Sequence, residues 1–188
     1  ASVTEIFLAS TPQVHAGAVL VGHSMGGAIA TCVAAGWPHL VDGLVLINTA
    51  HKLRVASALR EQIERDDFDL ASVAALMTAM AFPEGTAAGV RDQLGAMLSQ
   101  TGAGTAQADF LACQRYEPPE ALPLRIPSLV VSSDSDKLFS SKASRMLAEK
   151  VSTSCTHTVV RSSGHMTPLD QPEALRQVLY GWLRKQRW

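Results

Sequence analysis

Apolar and polar positions follow two regimes along the chain. Short apolar runs at Ala18–Val21, Leu44–Ile47 and Ser128–Ser132 have the length and continuity of strands buried on both faces of a parallel sheet. Thr156–Arg161 reads as a further strand. Ala28–Gly36 is rich in alanine with Ile29 and Val33 facing one way, which predicts a helix packed closely on a sheet and stopped by Gly36 and Pro38. Lys142–Val151 predicts another helix. Glu173–Trp188 predicts a last amphipathic one, with Leu175, Val178, Leu179, Trp182 and Leu183 on one face. Val3, Ile6, Phe7 and Leu8, ahead of Pro12, fit the end of an amphipathic helix. From about Lys52 to Leu122 the period is helical throughout, with charged faces at Arg60-Glu61 and Glu64-Arg65 and a break at Gly102-Ala103-Gly104-Thr105. Strands alternating with helices, interrupted once by a helical block, predict an α/β fold. Its sheet is mostly parallel with helices on both faces, and a helical cap insertion divides the chain into residues 1–51, 52–122 and 123–188.

The joint between the first strand and its helix reads Gly22-His23-Ser24-Met25-Gly26. A serine between glycines at a strand-to-helix turn sits on a strained, tightly folded backbone that presents its hydroxyl at the top of the sheet. Ser24 is therefore a candidate nucleophile. Two partners for a nucleophilic serine follow downstream. Asp134 and Asp136 come directly after the strand Ser128–Ser132, and His165 lies in Ser163-Gly164-His165-Met166. Taken singly, each of these residues is an ordinary turn or cap residue; their order and their positions after successive strands single them out.

Composition narrows the setting. The chain has 188 residues, 47% of them hydrophobic and 18% charged, enough for one domain with a real core and too apolar for disorder. A formal net charge of −1 with both signs mixed gives no electrostatic footprint for nucleic acid or an anionic membrane. Three cysteines, Cys32, Cys113 and Cys155, lack metal-ligand spacing and read as buried reduced thiols. No apolar run has the length of a membrane span, and the N-terminus lacks a signal-peptide pattern, so a cytoplasmic location is expected. A metal site from His157, His165 and the aspartates lacks ligand spacing, and no cofactor is expected.

The elbow Gly22–Gly27, the run Ile126–Val131 leading to Asp134-Ser135-Asp136-Lys137-Leu138, and Gly164-His165-Met166 with Gln171-Pro172-Glu173 together resemble the α/β-hydrolase superfamily, in which nucleophile, acid and base follow in this chain order. The resemblance covers nearly everything except the cap. It implies acyl transfer to water, with Ser24 attacking an ester-like carbonyl, His165 moving the proton and a carboxylate orienting the imidazole. It favours Asp136 as that carboxylate, because the following Lys137-Leu138-Phe139 approximates the family's apolar pair; Asp134 stands as the alternative. The backbone N–H of Met25 would supply one oxyanion donor. The implied substrate is a small, mostly apolar ester, or a carbon–carbon bond beside a ketone.

The same resemblance implies several strands ahead of the nucleophile strand and a loop with a second oxyanion donor. Only 17 residues precede Ala18, and His15-Ala16-Gly17 follows no strand. The expectation is an N-terminally incomplete core whose strand Ala18–Val21 is an apolar edge open to self-association. A non-catalytic hydrolase-like domain acting by ligand binding or dimerisation is the alternative function. His23 is expected to be structural support, and His15, His39, His51 and His157 to be ordinary loop or surface histidines. Met77, Met80, Phe82, Met97 and Phe110 are expected to form cap core.

Overall fold

In a computed structural model of the chain, residues 17–65 and 67–186 are described; the helix expected over residues 3–10, and His15, lie outside them. The chain runs through β1 (Ala18–His23), α1 (Met25–Gly36) and β2 (Val41–Ile47), then four helices, α2 (Ser57–Ile63), α3 (Leu70–Ala81), α4 (Ala88–Ser99) and α5 (Ala103–Arg115). It closes with β3 (Leu124–Ser133), α6 (Ser141–Val151), β4 (Ser152–Val160), a short α7 (Thr167–Asp170) and α8 (Pro172–Leu183).

Leu44, Val45, Leu46 and Ile47 offer no polar side chain to water, so this strand has to be covered on both faces. It lies inside a four-stranded sheet of order β1-β2-β3-β4 in which every neighbouring pair is parallel. Alternation sends Leu44 and Leu46 to one face, where Ala30 and Ala34 of α1 and Leu147 and Val151 of α6 cover them. Val45 and Ile47 face the other way, against Leu175 and Trp182 of α8. Among the described residues β1 pairs on one side only, and Val21 is 58% exposed there.

The helical block folds on its own cluster of Leu59, Ile63 and Val73, with Met77, Met80 and Phe110 packed against it. A second cluster, Ala81, Phe82 and Leu94, reaches across to Met166 and Leu169, after β4. Met97 belongs to neither and is largely exposed.

Several local expectations are corrected. Ile29 is half exposed while Val33 is buried, so the two do not share one covered face; the alanines on either side of Ile29, Ala28 and Ala30, are the buried residues of that turn. Cys32 is exposed and Cys113 and Cys155 are only partly covered, all three free. α5 starts at Ala103, so Gly104 and Thr105 are helical and the break is confined to the residues before them. β3 begins at Leu124, ahead of the apolar run; its pairing with β4 is irregular between Leu124 and Pro127, where proline lacks a ladder donor. β4 begins at Ser152 with a mixed, partly exposed pattern that shows no apolar run to read.

Candidate active site

Parallel strands deliver the loops that follow them to one end of the sheet, the end where open α/β folds bind their ligands. Ser24 follows β1, Asn48 follows β2, Asp134 and Asp136 follow β3, and His165 lies after β4. The ladder continues into these loops: the Ser24 N–H donates to the Ile47 carbonyl at 3.0 Å, that of Asn48 to Val131 at 2.8 Å and that of Asp134 to Val160 at 3.2 Å. The four loops are thus fixed side by side through their backbones.

Ser24 takes φ 52° and ψ −122°, a conformation that costs of order 1–3 kcal/mol in a residue with a side chain. The chain turns here with no room to spare. A Cβ on Gly22 would lie 2.3 Å from the Gly26 carbonyl, and one on Gly27 would lie 2.6 Å from Thr49 Cγ2. Gly26, the second glycine of the five-residue pattern, has nothing within 4 Å of a Cβ, so the steric demand falls on Gly22 and Gly27.

The turn brings the Ser24 hydroxyl 2.9 Å from His165 Nε2, and His165 Nδ1 lies 3.1 Å from Asp136 Oδ2. A carboxylate only accepts, so Nδ1 carries the ring proton and Nε2 is left to accept from the serine hydroxyl. The side chains of His165 and Asp136 are 2% and 1% exposed. Asp136 keeps its charge at that depth because donors surround it. Leu138 and Phe139 N–H reach Oδ1 at 2.8 and 3.0 Å, and Asn48 Nδ2 joins His165 on Oδ2 at 3.1 Å. Burial pushes the Asp136 carboxyl up, but the bond and charge of His165 and the two backbone N–H groups outweigh it and hold it below the usual range. Asp134, the alternative, is exposed and accepts from the Ser135 hydroxyl and the Ser163 N–H, so the carboxylate that meets the imidazole is that of Asp136. Met25 opens α1, where the first backbone N–H groups have no partner within the helix.

The segment carrying His165 is pinned on every side. The Gly164 N–H donates to Asp170 at 2.7 Å and its carbonyl accepts from Asn48 Nδ2 at 3.3 Å. The Met166 N–H donates to the Ala81 carbonyl at 3.2 Å. A Cβ on Gly164 would stand 2.3 Å from that same carbonyl, so only glycine lets the end of α3 approach so closely. His23 Nε2 donates to the His165 carbonyl at 2.8 Å, which matches its expected supporting part. Burial, reinforced by His165, pushes the His23 pKa down to about 4, so its ring is neutral.

Asn48 is the residue of this site that the sequence pattern does not announce. It is fully buried, takes φ 45°, and gives Nδ2 to the Ser133 hydroxyl at 2.8 Å as well as to Asp136 and Gly164; the Thr167 hydroxyl donates to its Oδ1 at 2.7 Å. Its only signal is polarity directly after an apolar strand, one shared with many turn residues.

Beside Ser24 opens a cavity of about 60 Å³ walled mainly by apolar side chains of the helical block and the loop after β3: Leu59, Met77, Phe110, Leu138 and Phe139. Met77 and Phe110 thus line the cavity as well as packing in the block. Among the described residues no cluster of His, Cys, Asp and Glu could hold a metal ion, and no helix is long and apolar enough to cross a membrane.

Residues 1–178 match the profile of a family described as Alpha/beta hydrolase family. No curated protein matches the chain. Among solved structures it is similar to a thermophilic esterase at 24% identity and TM-score 0.82, with 96% of this chain and 71% of that one covered. An esterase from Thermogutta terrifontis aligns at 23% identity and TM-score 0.77 over 90% of this chain and 65% of its own. One from Exiguobacterium antarcticum aligns at 17% and 0.77 over 88% and 66%. At these identities the likeness is one of fold, and this chain spans 65% to 71% of the length of these three.

Proposed function

We propose, from the premise that this chain belongs to the alpha/beta hydrolase family, that it is a serine hydrolase of small ester-like substrates whose reacting end is apolar. The observation that carries this reading is the line of two contacts from Ser24 Oγ to His165 Nε2 at 2.9 Å and from His165 Nδ1 to Asp136 Oδ2 at 3.1 Å. His165 takes the hydroxyl proton as Ser24 Oγ attacks the carbonyl carbon. The tetrahedral oxyanion lies toward the Met25 N–H, and Asp136 holds the ring in its tautomer and stabilises the imidazolium. Collapse of the intermediate expels the leaving group with the proton from His165, and water repeats the cycle on the acyl-enzyme. A carbon–carbon bond beside a ketone is cleaved by the same machinery when the leaving group is a stabilised carbanion.

The helical block between β2 and β3 acts in this reading as a cap. Its side chains Leu59, Met77 and Phe110 line the cavity beside Ser24, which supports a short apolar segment next to the scissile bond. Labelling with a fluorophosphonate probe tests the reading. Covalent modification confined to Ser24 and lost in Ser24→Ala is expected, and an unlabelled wild-type chain sinks it.

A further inference from the structure

The cavity beside Ser24 does not end at its apolar walls. Arg54, Leu138 and Phe139 line it and also line an adjoining open groove of about 580 Å³ between the segment after β2 and α6. That groove is cationic. Lys52, Arg54, Lys137 and Lys150 border it, and its one acid, Asp136, is turned inward onto His165. Lys52 pairs with Glu117 at 2.6 Å. Arg54, Lys137 and Lys150 meet no carboxylate among the described residues. Lys150 and Lys52 add to burial in lowering the pKa of His51 on the groove wall, and the buried His51 Nδ1 has no hydrogen-bond partner among the described residues. A chain of net charge −1 thus gathers unpaired positive charge at the mouth of its apolar cavity, where low-dielectric walls strengthen the field on an incoming anion.

We infer that the substrate taken at Ser24 carries a carboxylate remote from its reacting carbonyl, and that Arg54 with Lys137 and Lys150 receives that carboxylate in the groove while the apolar segment fills the cavity. This rests on the serine-hydrolase reading. Arg54, common to cavity and groove, is the specificity-determining residue, its guanidinium suited to a carboxylate in a way an ammonium is not.

The test compares 4-nitrophenyl hexanoate with the mono-4-nitrophenyl ester of adipic acid, in which a carboxylate replaces the terminal methyl group. The wild-type chain is expected to favour the adipate ester in kcat/KM by roughly tenfold or more at low salt, the preference shrinking as salt screens the groove. Arg54→Gln combined with Lys137→Gln is expected to bring the ratio near unity. Equal or better use of hexanoate by wild type, or an unchanged ratio in the variant, overturns the inference. A second measurement separates this from failure of the hydrolase reading: adipate itself is titrated calorimetrically into Ser24→Ala, which needs no turnover. Binding that disappears with Arg54→Gln supports the anion site even if no ester is cleaved. Absence of binding beside brisk hexanoate hydrolysis removes the anion site and leaves the hydrolase.

Discussion

Asn48 Nδ2 lies 3.1 Å from Asp136 Oδ2, the same oxygen that His165 Nδ1 approaches at 3.1 Å. One buried amide therefore steers the carboxylate and, through the Gly164 carbonyl, the segment that carries the imidazole. Replacing it by alanine strips a donor from a buried carboxylate and removes the amide oxygen that accepts from the Thr167 hydroxyl at 2.7 Å, leaving that hydroxyl the longer bond to the Gly164 carbonyl at 3.3 Å. Asn48→Ala is expected to lose roughly 2–3 kcal/mol of stability. On an ester the chain turns over, it is expected to lose between ten- and a hundredfold in kcat, as sub-ångström misplacement of reacting groups does. Asn48→Asp sets a like charge against Asp136 and is expected to be worse. Urea titration and steady-state kinetics check both, and an Asn48→Ala chain of wild-type kcat contradicts the positioning part.

The proposed nucleophile and base form one unit, so their losses are not expected to add. Ser24→Ala and His165→Ala are each expected to remove nearly all triad-dependent rate, on the order of 10⁶-fold, with the double variant scarcely lower. A double variant at the product of the single losses would refute the coupling.

Asp136→Asn keeps the shape of the side chain but turns an amide donor toward the Nδ1 proton, which inverts the ring tautomer. The expected loss is about 10⁴-fold, smaller than for Ser24→Ala, because the residue orients the ring and takes no part in bond making. Kinetics of the purified variant at neutral pH read the difference.

Two glycines beside the site, Gly164 and Gly26, are expected to behave oppositely to a reading of their motifs. Gly164→Ala drives a methyl group against the Ala81 carbonyl at 2.3 Å, and the strain is relieved only by moving the neighbouring His165 or the end of α3. A loss of about 1–3 kcal/mol in stability, with a fall in kcat, is expected. Gly26→Ala meets open space in the first turn of α1; alanine is favoured over glycine there by at most the about 1 kcal/mol of a helix interior, so its melting temperature is expected to hold or rise. Thermal unfolding of the two variants side by side decides between contact and motif.

What the sequence makes legible is what depends on neighbours in the chain. The loops of Ser24, Asp136 and His165 each follow a strand or carry a short pattern of small residues, and strands such as Leu44–Ile47 are apolar on both faces, so local reading finds them. Asn48 and Thr167 escape it, because their roles come from hydrogen bonds between loops far apart in sequence, such as Thr167 to Asn48 across 119 positions. The start of β3 escapes for a different reason: Arg125 and Pro127 interrupt its apolar pattern, and the strand is set by pairing with Ser152 and Ser154 of β4. The contact of α3 with the His165 segment is equally silent in the sequence, since it is made by a carbonyl of Ala81 and the missing side chain of Gly164.

His23 couples this site to acid stability. Burial and the nearby charge of His165 lower its pKa from 6.5 to about 4, so the folded chain resists a proton that the unfolded chain accepts. Between about pH 6.5 and 4 unfolding therefore takes up a proton. Stability is complete above that window, falls as pH drops through it and levels off below, by roughly 3 kcal/mol in all from this ring. His51 and His157 are shifted in the same direction, and Asp136, held below the usual carboxylate range, acts only in more acid solution; the wild-type curve is thus a sum, and a substitution is needed to isolate His23. His23→Gln keeps an N–H donor for the His165 carbonyl without a titrating group. Its urea-unfolding free energy is expected to fall less steeply than that of wild type between pH 6.5 and 4, with the two slopes converging above pH 7. Parallel curves across that window would show that the proton is taken up elsewhere and that the His23 ring is not held neutral by its place beneath His165.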